Sequence, residues 1–468
     1  MEKTNQTSKI SVGNIISFFL IEVLMLISFN LSGNMILYGS LMLLTLVLII
    51  AFGYKEIKTK GMSTFFFFLI PLLCYGLLSI LSGFTKDSLS AINNPAIRVF
   101  TMIGFLTFSS VGYLSIQVPG FKIKNILLGI YCALGLYVLI NLLITMIQFS
   151  PFYPLIYKGY YFYYDGAITS KNLGEIAYAL IGFENKEVSL NYFTLFASLL
   201  STAVVGLFFI DRKEEKRTFI AYAILGGIGV LALLLTPSKM SLITDFALIV
   251  TLLFVVLSKK VKWNTKIVKR VVIAIAIVLG ILFLLFVLNA QENVSGLKGL
   301  QNAIASVPLL NKLFNTNGLS ASYKNVISHL TVSGLMNGFQ PGYYDLGSYE
   351  KGFFLSGSWL FDNVMVSGVF GQLFFIITIV IGFRFLFTYF NKSNDEDSVK
   401  ALIVSYVLIF FIITLLNYDS LPYIFSDKTV PMYLLAPFMI CVFFFGYAIA
   451  RNVESENNKE VIENEKVD

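Results

Sequence analysis

The side chains in this chain that could carry chemistry fall into two kinds, proton acceptors and anion holders. His329 is the only histidine. It sits in SASYKNVISHLTVSGLMNGF, close to the basic Lys324. A histidine titrates near neutral pH and suits general-base work, for example taking the proton of an attacking hydroxyl. The plainer reading of a lone histidine is structural. Asp345, Glu350 and Asp362 are the competing carboxylates in the same polar stretch. As candidate bases the order is His329, then Glu350, which is flanked by Tyr349 and Lys351, then Asp362, which stands where polar sequence gives way to apolar.

The anion holders are cations placed where a cation is costly. Arg98 lies in NNPAIRVFTMIGF, a few residues inside an apolar run. A charge there needs a partner or a purpose. It either snorkels to the interface or aims a guanidinium at an anionic group such as a pyrophosphate, which Arg grips with two parallel bonds. Lys239 lies in LLLTPSKMSLITDFALIV after a tight turn. Ser238 can cap the helix that follows, and a helix N-terminus favours an anion. The alternative for Lys239 is an anchor at the end of its helix. No metal-ligand spacing, nucleotide-cradling glycine loop or hydrolase triad is present, so no cofactor is expected.

These groups must be positioned by membrane helices. The chain is 57% hydrophobic and 13% charged, with a mean hydropathy of +0.79, whereas soluble domains carry about 25% charged residues. Runs of roughly 20 apolar residues are long enough to span a bilayer. About twelve occur, at 12–29, 34–53, 63–82, 96–116, 125–148, 192–210, 218–235, 240–257, 271–289, 364–388, 401–417 and 432–450. The expected fold is therefore an all-α polytopic membrane protein. Cys74, Cys132 and Cys441 all fall inside apolar runs and read as small buried residues, with no disulfide framework. The first run lacks a small-residue cleavage site and reads as a retained helix.

The net charge of +7 is distributed by side rather than aimed at nucleic acid. Lys and Arg collect on short cytoplasmic links. With alternating runs, one side receives MEKTNQTSKI, YKEIKTKG, FKIK, DRKEEKR, SKKVKWNTKIVKR, NKSNDEDSVK and the C-terminal tail. That side is expected to be cytoplasmic, with both termini on it. The other side receives two long segments, 151–191 and 290–363, of which the second is about 70 mostly polar residues. A link so long is not needed to join two helices, so recognition or chemistry is expected at the outer face. The expected organisation is helices one to five over 1–150, an aromatic-rich external loop at 151–191, helices six to nine over 192–289, the large external loop at 290–363, helices ten to twelve over 364–450, and a disordered cytoplasmic tail at 451–468. The segment PFYPLIYKGYYFYYDG in the first loop reads either as an interfacial aromatic belt or as a stacking surface for sugar rings. No internal repeat and no pair of broken helices is evident, as many secondary transporters would show.

Three stretches resemble the O-antigen polymerase and O-antigen ligase family of membrane glycosyltransferases. GFENKEVSLNYFTLFASLL at 182–200 resembles the family's Gly-Thr-Phe…Asn segment leading into a helix. TPSKMSLITDFALIVTLLFVVL at 236–257 resembles its Thr-x-Ser-Arg helix start, with Lys239 in place of arginine. NGFQPGYYD followed by SGSWLFDNVMVSGVFGQLFFI is similar to its turn, acidic position and Gly-x-x-Gly helix, matched by Asp362, Gly368 and Gly371. The chain departs where the family carries His-Asn, here Gly357 and Ser358, and where it carries an arginine early in the large loop, near Ser322 with Lys324 the closest cation.

The resemblance implies a polymerase, in preference to a ligase, at the outer leaflet of a bacterial plasma membrane. It would join polyprenyl-pyrophosphate-linked oligosaccharide repeat units into a capsular polysaccharide, exopolysaccharide or O-antigen chain. Arg98, Lys239, Ser238 and Lys324 would bind substrate, and His329, Glu350 or Asp362 would be the base. The implied partners are the lipid-linked oligosaccharide, membrane lipid, a chain-length-regulating membrane protein and a flippase, with no nucleic acid. The rival classes are a flippase of the same precursors and an acyltransferase, which would want a histidine buried in a membrane helix.

Overall fold

A computed structural model describes residues 35–53, 61–84, 95–118, 122–148, 186–213, 215–235, 247–255, 289, 295–311, 359–416 and 431–464. The described residues are nearly all helical and include no strand. We number the helices α1 (Met35–Leu48), α2 (Met62–Phe84), α3 (Pro95–Leu114), α4 (Ile123–Gln148), α5 (Lys186–Ser201), α6 (Ala203–Leu207), α7 (Lys216–Leu235), α8 (Lys298–Ser306), α9 (Pro308–Asn311), α10 (Trp359–Lys392), α11 (Asp397–Leu416) and α12 (Pro431–Asn464).

Six helices among the described residues are long and apolar enough to cross a membrane: Met62–Leu81, Ile123–Ile140, Lys216–Leu234, Ser367–Lys392, Asp397–Thr414 and Pro437–Ser455. Large apolar side chains cover their outer faces, with Leu234 70% exposed and Phe370, Ile224 and Ile70 also outward. Water would not tolerate such a surface on a monomer, whereas hydrocarbon does. The chain is an all-α membrane protein. The run expected at 12–29, and all of the run expected at 271–289 except its last residue, lie outside the described residues, so the count of twelve remains an expectation.

The packing has a consistent sense. Phe65 meets Tyr113 with ring centroids 4.6 Å apart, while the space beside Gly76 is filled by Met102, so α2 and α3 run antiparallel. Tyr75 meets Phe375 at 4.8 Å and Leu78 lies beside Gly371, so α10 is antiparallel to α2. The Phe375–Phe438, Phe383–Phe445 and Tyr389–Tyr447 pairs make α10 and α12 parallel. In a second group, Tyr137 meets Phe196 and Tyr131 bonds Thr202, so α4 is antiparallel to α5 and its continuation. Tyr131 meets Tyr222 edge to face, and Gly135 lies against Leu225, so α7 is parallel to α4. Helix α11 joins the groups through Leu402 against Gly206 and Tyr406 against Phe444.

Helix α3 explains how polar sequence becomes core. Thr101, Thr107, Ser109 and Ser110 lower its hydropathy, yet all four are buried. Thr107 donates to the Ile103 carbonyl at 2.8 Å and Ser109 to the Phe105 carbonyl at 2.8 Å, so their hydroxyls are satisfied within the helix. Small residues then let backbones touch, which is how membrane helices associate without a hydrophobic driving force. A Cβ on Gly112 would strike the Phe443 carbonyl oxygen, and one on Gly446 the Ser109 carbonyl oxygen.

One end of the bundle gathers charge. Lys124 pairs with Glu215 and, at 3.0 Å, with Glu396. Asp395 accepts hydrogen bonds from Tyr389 at 2.8 Å and Tyr447 at 2.7 Å and pairs with Arg451 at 3.0 Å. Gly61 lies beside Val453 and Tyr113 at this end. The links FKIK, DRKEEKR and NKSNDEDSVK, expected on one side, thus do share one end with the tail.

Two expectations are corrected. The tail, expected to be disordered, continues as helix to Asn464. A formed helix extends without a new nucleation cost, and Arg451 pairs with Glu454 three residues on at 2.7 Å. Cys132, expected to be buried, is exposed on the outward face of α4. Cys441 is buried and Cys74 is partly so, both as free thiols.

Candidate functional site

The end opposite the charged one is where α2, α4, α7 and α11 finish and where α3, α5, α10 and α12 begin, at Phe84, Gln148, Leu235 and Leu416 and at Pro95, Lys186, Trp359 and Pro431. Both segments read as large external loops therefore attach to this end, which also receives 85–94 and 417–430.

Arg98 is the fourth residue of α3. The first turn of a helix is electropositive and leaves N–H groups unpaired. A cation there is doubly disfavoured unless an anion is held beside it. Asp362 is the fourth residue of α10, so it belongs to a helix rather than to the end of a loop. An acid in the first turn complements the dipole. Both positions lie at the same end of the bundle, on two helices that flank the C-terminal half of α2: Met102, one turn after Arg98, fills the space beside Gly76, and Gly371 adjoins Leu78.

Helix α10 is broken between Asp362 and the bundle. Gly368 has φ 69° and ψ 177° inside an otherwise helical stretch. That region of backbone space is essentially open to glycine alone. The break starts a new helix at Val369 and leaves Trp359–Ser367 as a separate short helix carrying Asp362. Ser367 is buried and folds back against Gly371 so closely that a Cβ there would overlap it. Gly368 supplies the dihedral and Gly371 supplies the room. In a membrane protein such a break is tolerated where the freed backbone is covered by protein or lines a cavity. Gln372, the next residue, is also buried.

The other expected site residues, Lys239, Ser238, Lys324, His329 and Glu350, lie outside the described residues, as does the aromatic segment. Arg98 and Asp362 are thus the two that the fold brings to one end. Residues 295–311 of the large polar stretch are described. They form the short helices α8 and α9, and Gln301 donates to the Asn289 carbonyl at 3.4 Å, tying α8 back to the end of the preceding run. Among the described residues no cluster of His, Cys, Asp and Glu could hold a metal.

The helix break is the feature that sequence reasoning missed. Gly368 and Gly371 were legible as a glycine pair, but a Gly-x-x-Gly spacing fits close helix packing equally well, and no local signal separates the two. No protein-family model matches the chain, and no curated protein sequence matches it.

Proposed function

We propose that the protein joins polyprenyl-pyrophosphate-linked oligosaccharide repeat units into a surface polysaccharide at the outer leaflet of a bacterial plasma membrane. The observation that carries this reading is Arg98 in the first turn of α3, at the end of the bundle where α10 is broken and both long polar segments attach. An arginine in the first turn of a helix, where negative charge is favoured, calls for an anion, and a lipid pyrophosphate supplies one at the membrane interface.

In this reaction an acceptor hydroxyl attacks the anomeric carbon of the donor sugar. The bond to the pyrophosphate oxygen breaks and lipid pyrophosphate leaves. Arg98, with Lys239 and Lys324, neutralises the charge that grows on the leaving group, and Ser238 binds the substrate beside Lys239. His329, Glu350 or Asp362 takes the hydroxyl proton. Asp362 stands on the short helix Trp359–Ser367, which the break at Gly368 separates from the rest of α10. No soluble cofactor is required.

One observation favours a second reading. Broken helices are a hallmark of transporters, and α10 is broken at Gly368. A flippase of the same lipid-linked precursors would also use it. Deleting the gene and resolving the surface polysaccharide on a gel separates the two. Single repeat units in place of polymer are the expected result; loss of all surface glycan would favour the flippase and overturn the polymerase.

A further inference from the structure

A line of polar groups enters the second helix group from the charged end, well away from the α3–α10 site. Glu215, at the start of α7, pairs with Lys124, but its Oε2 is buried and has no hydrogen-bond partner. Two turns further in, the Tyr222 hydroxyl is buried without a partner. Its ring meets that of Tyr131 edge to face at 5.5 Å. Glu215 accepts the Phe219 N–H at 2.9 Å, so it begins the helix, and Tyr222, seven residues on, stands on the same face. On α11 Leu402 packs on Gly206, so Tyr406, one turn further along, comes level with Thr202 and its partner Tyr131, and its fully buried hydroxyl also has no partner. Tyr222, Tyr131 and Tyr406 are six, eight and nine residues into α7, α4 and α11. At ~1.5 Å per residue they stand at similar depth, roughly 9–14 Å from the charged end.

The hydrogen-bond directions leave room for a guest. Thr202 donates its proton to the Leu199 carbonyl at 2.6 Å, so the 2.6 Å contact between Tyr131 and Thr202 has Tyr131 as donor. The Tyr131 oxygen keeps its lone pairs. Tyr222 and Tyr406 each hold an unused proton, and Glu215 an unused carboxylate oxygen. A phenol with no partner in a membrane interior carries an uncompensated desolvation cost. Two on adjoining helices, with a carboxylate at the surface, are a pattern for shared solvent, since a buried water makes about three hydrogen bonds to such groups.

We propose that ordered water fills a polar wedge running from Glu215 at the charged end, past Tyr222 and Tyr131, to Tyr406 inside the bundle. Water there accepts from the Tyr222 and Tyr406 hydroxyls and donates to the Tyr131 oxygen and to Glu215. The wedge makes this helix group wet on one side, while the α2–α3–α10–α12 group packs through aromatic and small side chains.

The test is X-ray hydroxyl-radical footprinting of the full chain in lipid nanodiscs, because radicals generated from bound water mark the side chains beside it whatever their burial. Tyr222 and Tyr406 should be oxidised at rates comparable to solvent-exposed residues, while Phe68 and Phe410, equally buried, stay unmodified. If both tyrosines are as inert as those phenylalanines, the wedge is dry and the proposal fails. Thermal unfolding gives an independent sign. Tyr222→Phe and Tyr406→Phe should each lower Tm, because each breaks a bond to water. A rise in Tm in both variants, the mark of removing an orphan hydroxyl from a dry site, would equally overturn it.

Discussion

Ser367 occupies the space that a side chain on Gly371 would need, because the backbone turns at Gly368 between them. This pairing separates the short helix bearing Asp362 from the long helix anchored in the bundle. Gly368→Ala forces a dihedral that costs about 1–3 kcal/mol, and Gly371→Leu ejects Ser367. Each should shorten or abolish surface polymer in cells while membrane-inserted protein persists. Gly227→Ala, where an added Cβ meets nothing within 4 Å, serves as the control and should make polymer of normal length. Normal polymer from both Gly368→Ala and Gly371→Leu would remove the break from the account.

The crossing of α3 and α12 depends on backbone contact at Gly112 and Gly446. Backbone cannot step aside as a flexible side chain can. Gly112→Ala and Gly446→Ala should each destabilise the purified protein by about 1–3 kcal/mol, read as a lower Tm. Gly129→Ala, with open space around it, should be neutral or slightly stabilising, since alanine favours helix by up to about 1 kcal/mol.

Much of the fold was legible because apolar length and lysine placement are direct physical signals. The run 63–82 became Met62–Phe84, 96–116 became Pro95–Leu114, and 401–417 became Asp397–Leu416. The lysine-rich links converged on one end, where Lys124 bridges Glu215 and Glu396 across more than 270 residues of sequence. Which partners such charges take is a tertiary fact with no local trace. Cys132 shows another limit: an apolar run does not declare which of its faces meets lipid. The helical tail was missed because it has no apolar stripe, and its helix is inherited from α12. At the site, Arg98 was legible as a costly charge, whereas the positive φ at Gly368 was not.

Asp395 should matter more than its charged neighbours. It is only 11% exposed and ties Tyr389, Tyr447 and Arg451 together. Asp395→Asn removes the charge that Arg451 faces, and breaking a largely buried pair in this way costs about 3–5 kcal/mol. Glu454→Gln breaks a pair whose acid is 44% exposed, worth under about 1 kcal/mol. Thermal unfolding should rank Asp395→Asn well below Glu454→Gln, and equal Tm values would show that the cluster does not hold α10 to α12.

The proposed sidedness rests on the lysine distribution and on the shared charged end. Single cysteines introduced at Ser320 and Tyr160, in a background lacking Cys132, should react with an impermeant thiol reagent added to intact cells. Lys213→Cys, in the link beside Glu215, should react only after the membrane is opened. Labelling of Lys213→Cys in intact cells would invert the assignment.

The most direct measurement is reconstitution. Purified protein in liposomes is supplied with polyprenyl-pyrophosphate-linked repeat units, and both product length and released polyprenyl pyrophosphate are followed. The account predicts a ladder of lengthening chains, with one lipid pyrophosphate released per linkage formed. It further predicts that Arg98→Ala slows that release about 10²–10³-fold, the usual loss on removing one charge-assisted donor from such a site. Repeat units that cross the bilayer without being joined, or a ladder formed at full rate by Arg98→Ala, would contradict it.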